Sequence, residues 1–142
     1  MLGTERLNYP DRHIEIDNRL AWFIGRLDRD IGDAAEYVWL RRRPEEVARS
    51  YNKRWHKSLV PAYAKGLLSH NMAIENGMDV CRDLVDTIES SIALYLKNHP
   101  YLEVWLHDPE PSFRKFWKKI GAEGDLDKAL DEWTKRRNAT LK

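Results

Sequence analysis

Tyr37-Val38-Trp39-Leu40-Arg41-Arg42-Arg43-Pro44-Glu45-Glu46-Val47-Ala48-Arg49-Ser50-Tyr51 joins an apolar, β-rich run to a helix through three arginines. Ala34 to Leu40 is an apolar run broken only by Glu36, expected as a strand buried on both faces. Three arginines end it, and Pro44 restarts the chain as a helix. Proline fits a first helical turn, where its missing N–H costs nothing, and Glu45 and Glu46 complement the positive helix end. Val47, Ala48, Tyr51 and Trp55 then recur at helical spacing, which gives the helix one apolar face. A strand running directly into a helix, with guanidinium groups at the junction, is a place to hold an anion.

Outward from that stretch the chain alternates strand and helix. Arg12-His13-Ile14-Glu15-Ile16-Asp17 alternates polar and apolar, which predicts a first strand with one wet face. Asp17 or Asn18 is a helix cap for Leu20, Phe23, Ile24, Leu27 and Ile31, with Gly32 as the stop. After the Pro44 helix, Pro61 is expected to interrupt a helix, and Tyr63–Leu68 to form a short helical piece. Met78–Lys97 carries Cys81, Leu84, Val85, Ile88, Ile92, Tyr95 and Leu96 on one stripe, the longest helix of the chain. Tyr101–Leu106 is a third strand. Ser112 is the expected cap of a helix over Phe113–Ile120 that stops at Gly121, and Asp125 the cap of a last helix with Leu126, Leu130 and Trp133. The order predicts an α/β fold, a parallel sheet of about three strands flanked by helices, in one domain over residues 1–142. Ligands of such sheets sit beyond the carboxyl ends of the strands, which would gather Glu15 and Asp17, Arg42, and His107-Asp108 on one rim.

Composition narrows the function classes. With 42% hydrophobic and 33% charged residues, the 142-residue chain reads as an ordinary globular protein able to bury a core. A formal net charge of +1 gives no global argument for nucleic acid. The single Cys81 excludes an intramolecular disulfide and a cysteine-based zinc site, and its place on the apolar stripe predicts a buried thiol. His13, Glu15 and Asp17 lack a further histidine nearby, so no metal site is expected. No apolar run approaches the roughly 18 residues of a membrane span, and Met1–Arg6 lacks the apolar segment of a signal peptide, so a cytoplasmic chain without membrane contact is expected. The six tryptophans fall at strand and helix spacing and read as core fillers.

Leu40-Arg41-Arg42-Arg43-Pro44-Glu45-Glu46-Val47-Ala48-Arg49-Ser50-Tyr51 resembles the second nucleotide-binding motif of the sulfotransferase family. That motif is a hydrophobic residue, Arg, Asn or Asp, and Pro, followed by a helix with Ser-Tyr or Ser-Phe; here Arg43 stands where the family has Asn or Asp. Glu15–Leu20 and Phe116–Leu126, with Ala129-Leu130, Trp133 and Asn138, are similar to bacterial members in the same order. The resemblance implies a partial P-loop-like sheet and the co-substrate 3′-phosphoadenosine 5′-phosphosulfate (PAPS), with no metal. It implies that Arg42 and Ser50 hold the nucleotide's 3′-phosphate. It further implies a catalytic base after an early strand, with Glu15 the first candidate and Asp17 and His13 behind it. The acceptor would be the hydroxyl or amine of a small molecule or glycan. The family's Gly-rich phosphosulfate loop has no counterpart in residues 1–12, because Gly3-Thr4 has neither a strand before it nor a helix after it. The chain is therefore expected to be the downstream part of that fold, missing its first strand and phosphate loop.

Two function classes follow. One is a PAPS-dependent sulfotransferase, or its cofactor-binding remainder. The other is a non-catalytic α/β scaffold that pairs with a partner chain or self-associates through an exposed sheet edge.

Overall fold

A computed structural model describes residues 7–68 and 77–135. The fold is mixed α/β, mostly helical, with a two-stranded parallel sheet. Its residues divide into two compact units, one within Met1–Glu36 and Pro44–Pro100, the other within Tyr37–Arg43 and Tyr101–Lys142.

The first unit is helical. Ile24–Asp30 forms α1, Pro44–Lys53 α2, Val60–Gly66 α3 and Gly77–Leu96 α4. The α4 stripe is the core, as its periodicity predicts: Val80, Cys81, Leu84 and Val85 are buried against Ala48 of α2 and Val60, Tyr63 and Ala64 of α3. Ala48 is small enough to let α2 approach α4 closely, and it is only 1% exposed. Burial pushes the Cys81 thiol up, as expected of a core cysteine. Tyr63 brings a hydroxyl into this core, where it donates to Asp83 and lies 3.1 Å from Thr87 Oγ1. Burial, then the bond to Asp83, raises its pKa.

Residues 12–17 correct the sequence reading, because no strand forms there. Arg12 adopts φ +58, a left-handed conformation that interrupts an extended run. Ile14 and Ile16 are 58% and 86% exposed, so the alternation buries no face. Asp17 does act as a cap: its carboxylate accepts from the Arg19 N–H at 2.8 Å and opens a 3-10 turn over Asn18–Trp22, which α1 follows. Gly32, at φ +51, lies two residues past α1, a stop that glycine adopts without strain. Pro61 does not interrupt a helix but starts one, sitting in the first turn of α3 as Pro44 does in α2.

The turn after α1 is fastened to the end of α4 by His99. Its Nδ1 is 2.8 Å from Asp33 and its Nε2 3.0 Å from Asp28, with the ring against Tyr95 and a side chain only 9% exposed. Hydrogen bonding to Asp33 first, and then to Asp28, raises the His99 pKa. A histidine raised in the folded state contributes stability that is full below its unfolded pKa of about 6.5 and is lost as pH rises through the folded value. Melting of the wild type and of His99→Gln across neutral pH is therefore expected to converge toward the alkaline side. A stability gap between them that stays constant with pH would contradict the charged staple.

The second unit holds Tyr37–Arg41 as β1 and Tyr101–Trp105 as β2, paired in parallel with Tyr37 opposite Tyr101 and Arg41 opposite Trp105. β1 is not buried on both faces: Val38 and Leu40 are 42% and 48% exposed. On the other face, the Arg41 guanidinium lies 4.2 Å from the Trp39 ring centroid and 4.5 Å from that of Trp105, and its Nη1 is 3.0 Å from Glu103. The aromatic faces and the carboxylate make Arg41 part of the sheet's packing. Glu110–Lys119 forms α5 and Leu126–Thr134 α6. α5 begins before the expected Ser112 cap, because Pro111 suits the first turn and the Phe113 N–H closes it on the Pro109 carbonyl at 2.8 Å. Gly121 at φ +62 stops α5, and the Asp125 carboxylate caps α6 by accepting from the Lys128 N–H at 3.0 Å, both as predicted. Phe113 joins the two helices, meeting the Trp133 ring edge-on at 5.3 Å and Trp117 at 6.0 Å.

No helix among the described residues is long and apolar enough to cross a membrane.

Candidate functional site

Arg42 immediately follows β1, and its side chain is exposed at the carboxyl end of the sheet. The Leu106 N–H donates to the Arg41 carbonyl at 2.9 Å, so the residues after β2 continue the same rim. His107 and Asp108 lie there, the Trp105 and His107 rings 5.2 Å apart and Asp108 bridged back to Trp105. The second and third members of the expected rim thus share one sheet edge. Glu15 and Asp17 belong to the helical unit and end no strand.

Ser50 also belongs to the helical unit, in α2. Its half-buried hydroxyl oxygen accepts from Arg54 Nη2 at 2.7 Å, and Arg54 Nε donates to the Ser50 carbonyl at 3.3 Å. Arg54 is four residues further along, on the same helical face. Pairing of Ser50 with Arg42 in one site rests on their spacing in the sequence.

Arg54 opens a depression of about 340 Å³ whose lining includes Asn18, Arg19, Tyr51, Lys57 and Ser58. Backbone bonds place the cations: the Arg54 N–H reaches the Tyr51 carbonyl at 3.0 Å, and the Lys57 N–H reaches the Arg54 carbonyl at 2.8 Å. Trp55–Lys57 is a 3-10 turn, in which residues three apart eclipse, so Arg54 and Lys57 rise on one side. Ser58 ends the turn, its hydroxyl donating to the Trp55 carbonyl at 2.9 Å. Arg19 is held bidentately by Asp17, with Nε at 2.9 Å from both carboxylate oxygens. The Asn18 side-chain N–H donates to the Tyr51 hydroxyl oxygen at 3.3 Å.

Glu15 is not a lining residue, although its charge acts on Arg19; it pairs with His13, Nε2 to Oε2 at 3.0 Å, each side chain 34% exposed. Asp17 is committed to Arg19. Glu45, at the start of α2, pairs with Arg82 of α4 through two contacts of 2.9 and 3.0 Å, and that bond first of all lowers its pKa. Arg82 is raised by the same pair and by Asp79. No group of three metal-ligating side chains occurs among the described residues.

Sequence reasoning singled out Ser50 but missed Arg19, Arg54 and Lys57. Spacing carried part of the signal, since Ser50 and Arg54 are one helical turn apart. The contribution of Asn18 and Arg19 comes from tertiary packing over more than thirty residues of chain.

No family model, no curated protein and no solved structure matches this chain.

Proposed function

We propose that this chain is a sulfotransferase-like domain, partly P-loop-like in architecture, that binds PAPS and serves sulfuryl transfer to a hydroxyl or amine acceptor. The observation that carries the reading is the Ser50 hydroxyl on α2, half-buried and bonded to a guanidinium at the edge of a basic depression. In the sequence it stands eight residues after the exposed Arg42 that leaves a parallel strand. Arg42 supplies a planar fork matched to phosphate oxygens, and Ser50 a hydroxyl donor. In the transfer, Glu15 accepts the proton of the acceptor hydroxyl or amine as that atom attacks sulfur. The bond from sulfur to the 5′-phosphate oxygen breaks, and adenosine 3′,5′-bisphosphate leaves. Transfer also needs a loop whose backbone amides grip the phosphosulfate. The test is calorimetric titration of the folded chain with adenosine 3′,5′-bisphosphate. Saturable one-to-one binding supports the nucleotide site, and its absence overturns it.

A second reading, a scaffold that pairs through the sheet, is favoured by Val38 and Leu40, exposed on a strand with one ladder partner among the described residues. A stable oligomer without nucleotide affinity would place this reading first.

A further inference from the structure

The basic depression of the helical unit has features that the Arg42–Ser50 reading does not use. Among the described residues neither Arg54 nor Lys57 has a carboxylate partner, while Arg19, Arg29, Arg41, Arg82 and Arg114 all do. Two unneutralised cations on one side of a 3-10 turn repel each other, and an anion between them removes that cost. The neutral groups are set to donate. Tyr51 accepts from Asn18 through its oxygen, which leaves its own O–H proton to point at a ligand. Among the described residues the Arg54 guanidinium bonds Ser50 through Nε and Nη2, which leaves Nη1 as a further donor. Ser58 is spent on the Trp55 carbonyl and fixes the turn. Asp17 and Glu15 contribute negative charge beside Arg19; Asp17 is held by Arg19 in a bidentate pair, and Glu15 is bonded to His13.

We propose that this depression is a binding site for a tetrahedral oxyanion, a phosphate or sulfate group, held by Arg54 and Lys57 with Tyr51 donating. The volume of about 340 Å³ is larger than a single such group, so a monoester fits as well as the free ion. The inference stands independently of the nucleotide reading, because it requires neither Arg42 nor a 3′-phosphate.

The test is titration of isotopically labelled wild-type protein with inorganic phosphate at constant ionic strength, followed by backbone amide resonances. Saturable shifts centred on Tyr51, Arg54, Lys57 and Ser58 are expected. Affinity should fall about tenfold in Lys57→Gln and further in Arg54→Gln/Lys57→Gln. Lys57 is exposed and carries no partner, so its single variant keeps the test decisive if loss of the Arg54–Ser50 bond disturbs α2. Lys65→Gln, an exposed charge of α3 outside the depression, is the control. Absence of saturable shifts, unchanged affinity in the double variant, or equal weakening by Lys65→Gln would overturn the site. Adenosine 3′,5′-bisphosphate distinguishes the source: tighter binding than inorganic phosphate at the same residues assigns a monoester, and equal binding assigns the free ion. Loss of binding in Lys57→Gln with none in Arg42→Ala would keep this site and remove the Arg42 reading.

Discussion

Arg42→Ala is expected to weaken adenosine 3′,5′-bisphosphate binding at least tenfold, about 1.4 kcal/mol. Three arginines stand in a row, and the structure separates them. Arg41 is packed between Trp39 and Trp105 and held by Glu103, so its guanidinium serves the sheet. Arg42 is exposed at the carboxyl edge, where ligands of parallel sheets bind. The side chain is exposed, and matched thermal melting of wild type and variant separates a lost ligand contact from any change in stability. The size follows from the loss of a charge-assisted, two-point contact to phosphate in a site that stays open to solvent. Equal affinity in wild type and variant would take Arg42 out of the site.

Leu84→Ala is expected to cost about 2–5 kcal/mol of folding stability. Among the described residues Leu84, Val60 and Cys81 are the largest fully buried side chains, all in the cluster formed by α2, α3 and α4. The buried cluster that holds Leu84 is drawn from three helices, which cannot all close on a smaller side chain, so a cavity adds to the lost burial. Denaturant unfolding followed by helical circular dichroism measures the loss. A change within about 0.5 kcal/mol, the range of an ordinary surface substitution, would contradict a core centred on Leu84.

Where side-chain periodicity was carried through to burial, the sequence was legible. The α4 stripe, the Pro44 start of α2, the Asp17 and Asp125 caps and both strands of the sheet all follow from local patterns. The failure at Arg12–Asp17 has a physical source: alternation describes any extended segment, and only a ladder partner makes it a strand. The burial of β1 was misjudged because a continuous apolar run does not show whether a second layer covers each face; Val38 and Leu40 stay exposed. Pro61 carries the same first-turn chemistry as Pro44, so its misreading was one of context. Of the depression, the sequence reading reached only Ser50, whose hydroxyl accepts from Arg54 four residues on; Arg19, Arg54 and Lys57 were missed. The depression itself was not legible, because Asn18 meets Tyr51 only after folding, just as His99 meets Asp28 and Asp33.

Recognition of a 3′-phosphate by this chain is tested by comparing adenosine 3′,5′-bisphosphate with adenosine 5′-monophosphate on the wild-type protein by calorimetry, at one ionic strength. One-to-one binding is expected, with a preference of at least tenfold for the bisphosphate, about 1.4 kcal/mol from the added 3′-phosphate. Equal affinity for the two nucleotides, or no binding of either by well-folded protein, would contradict it.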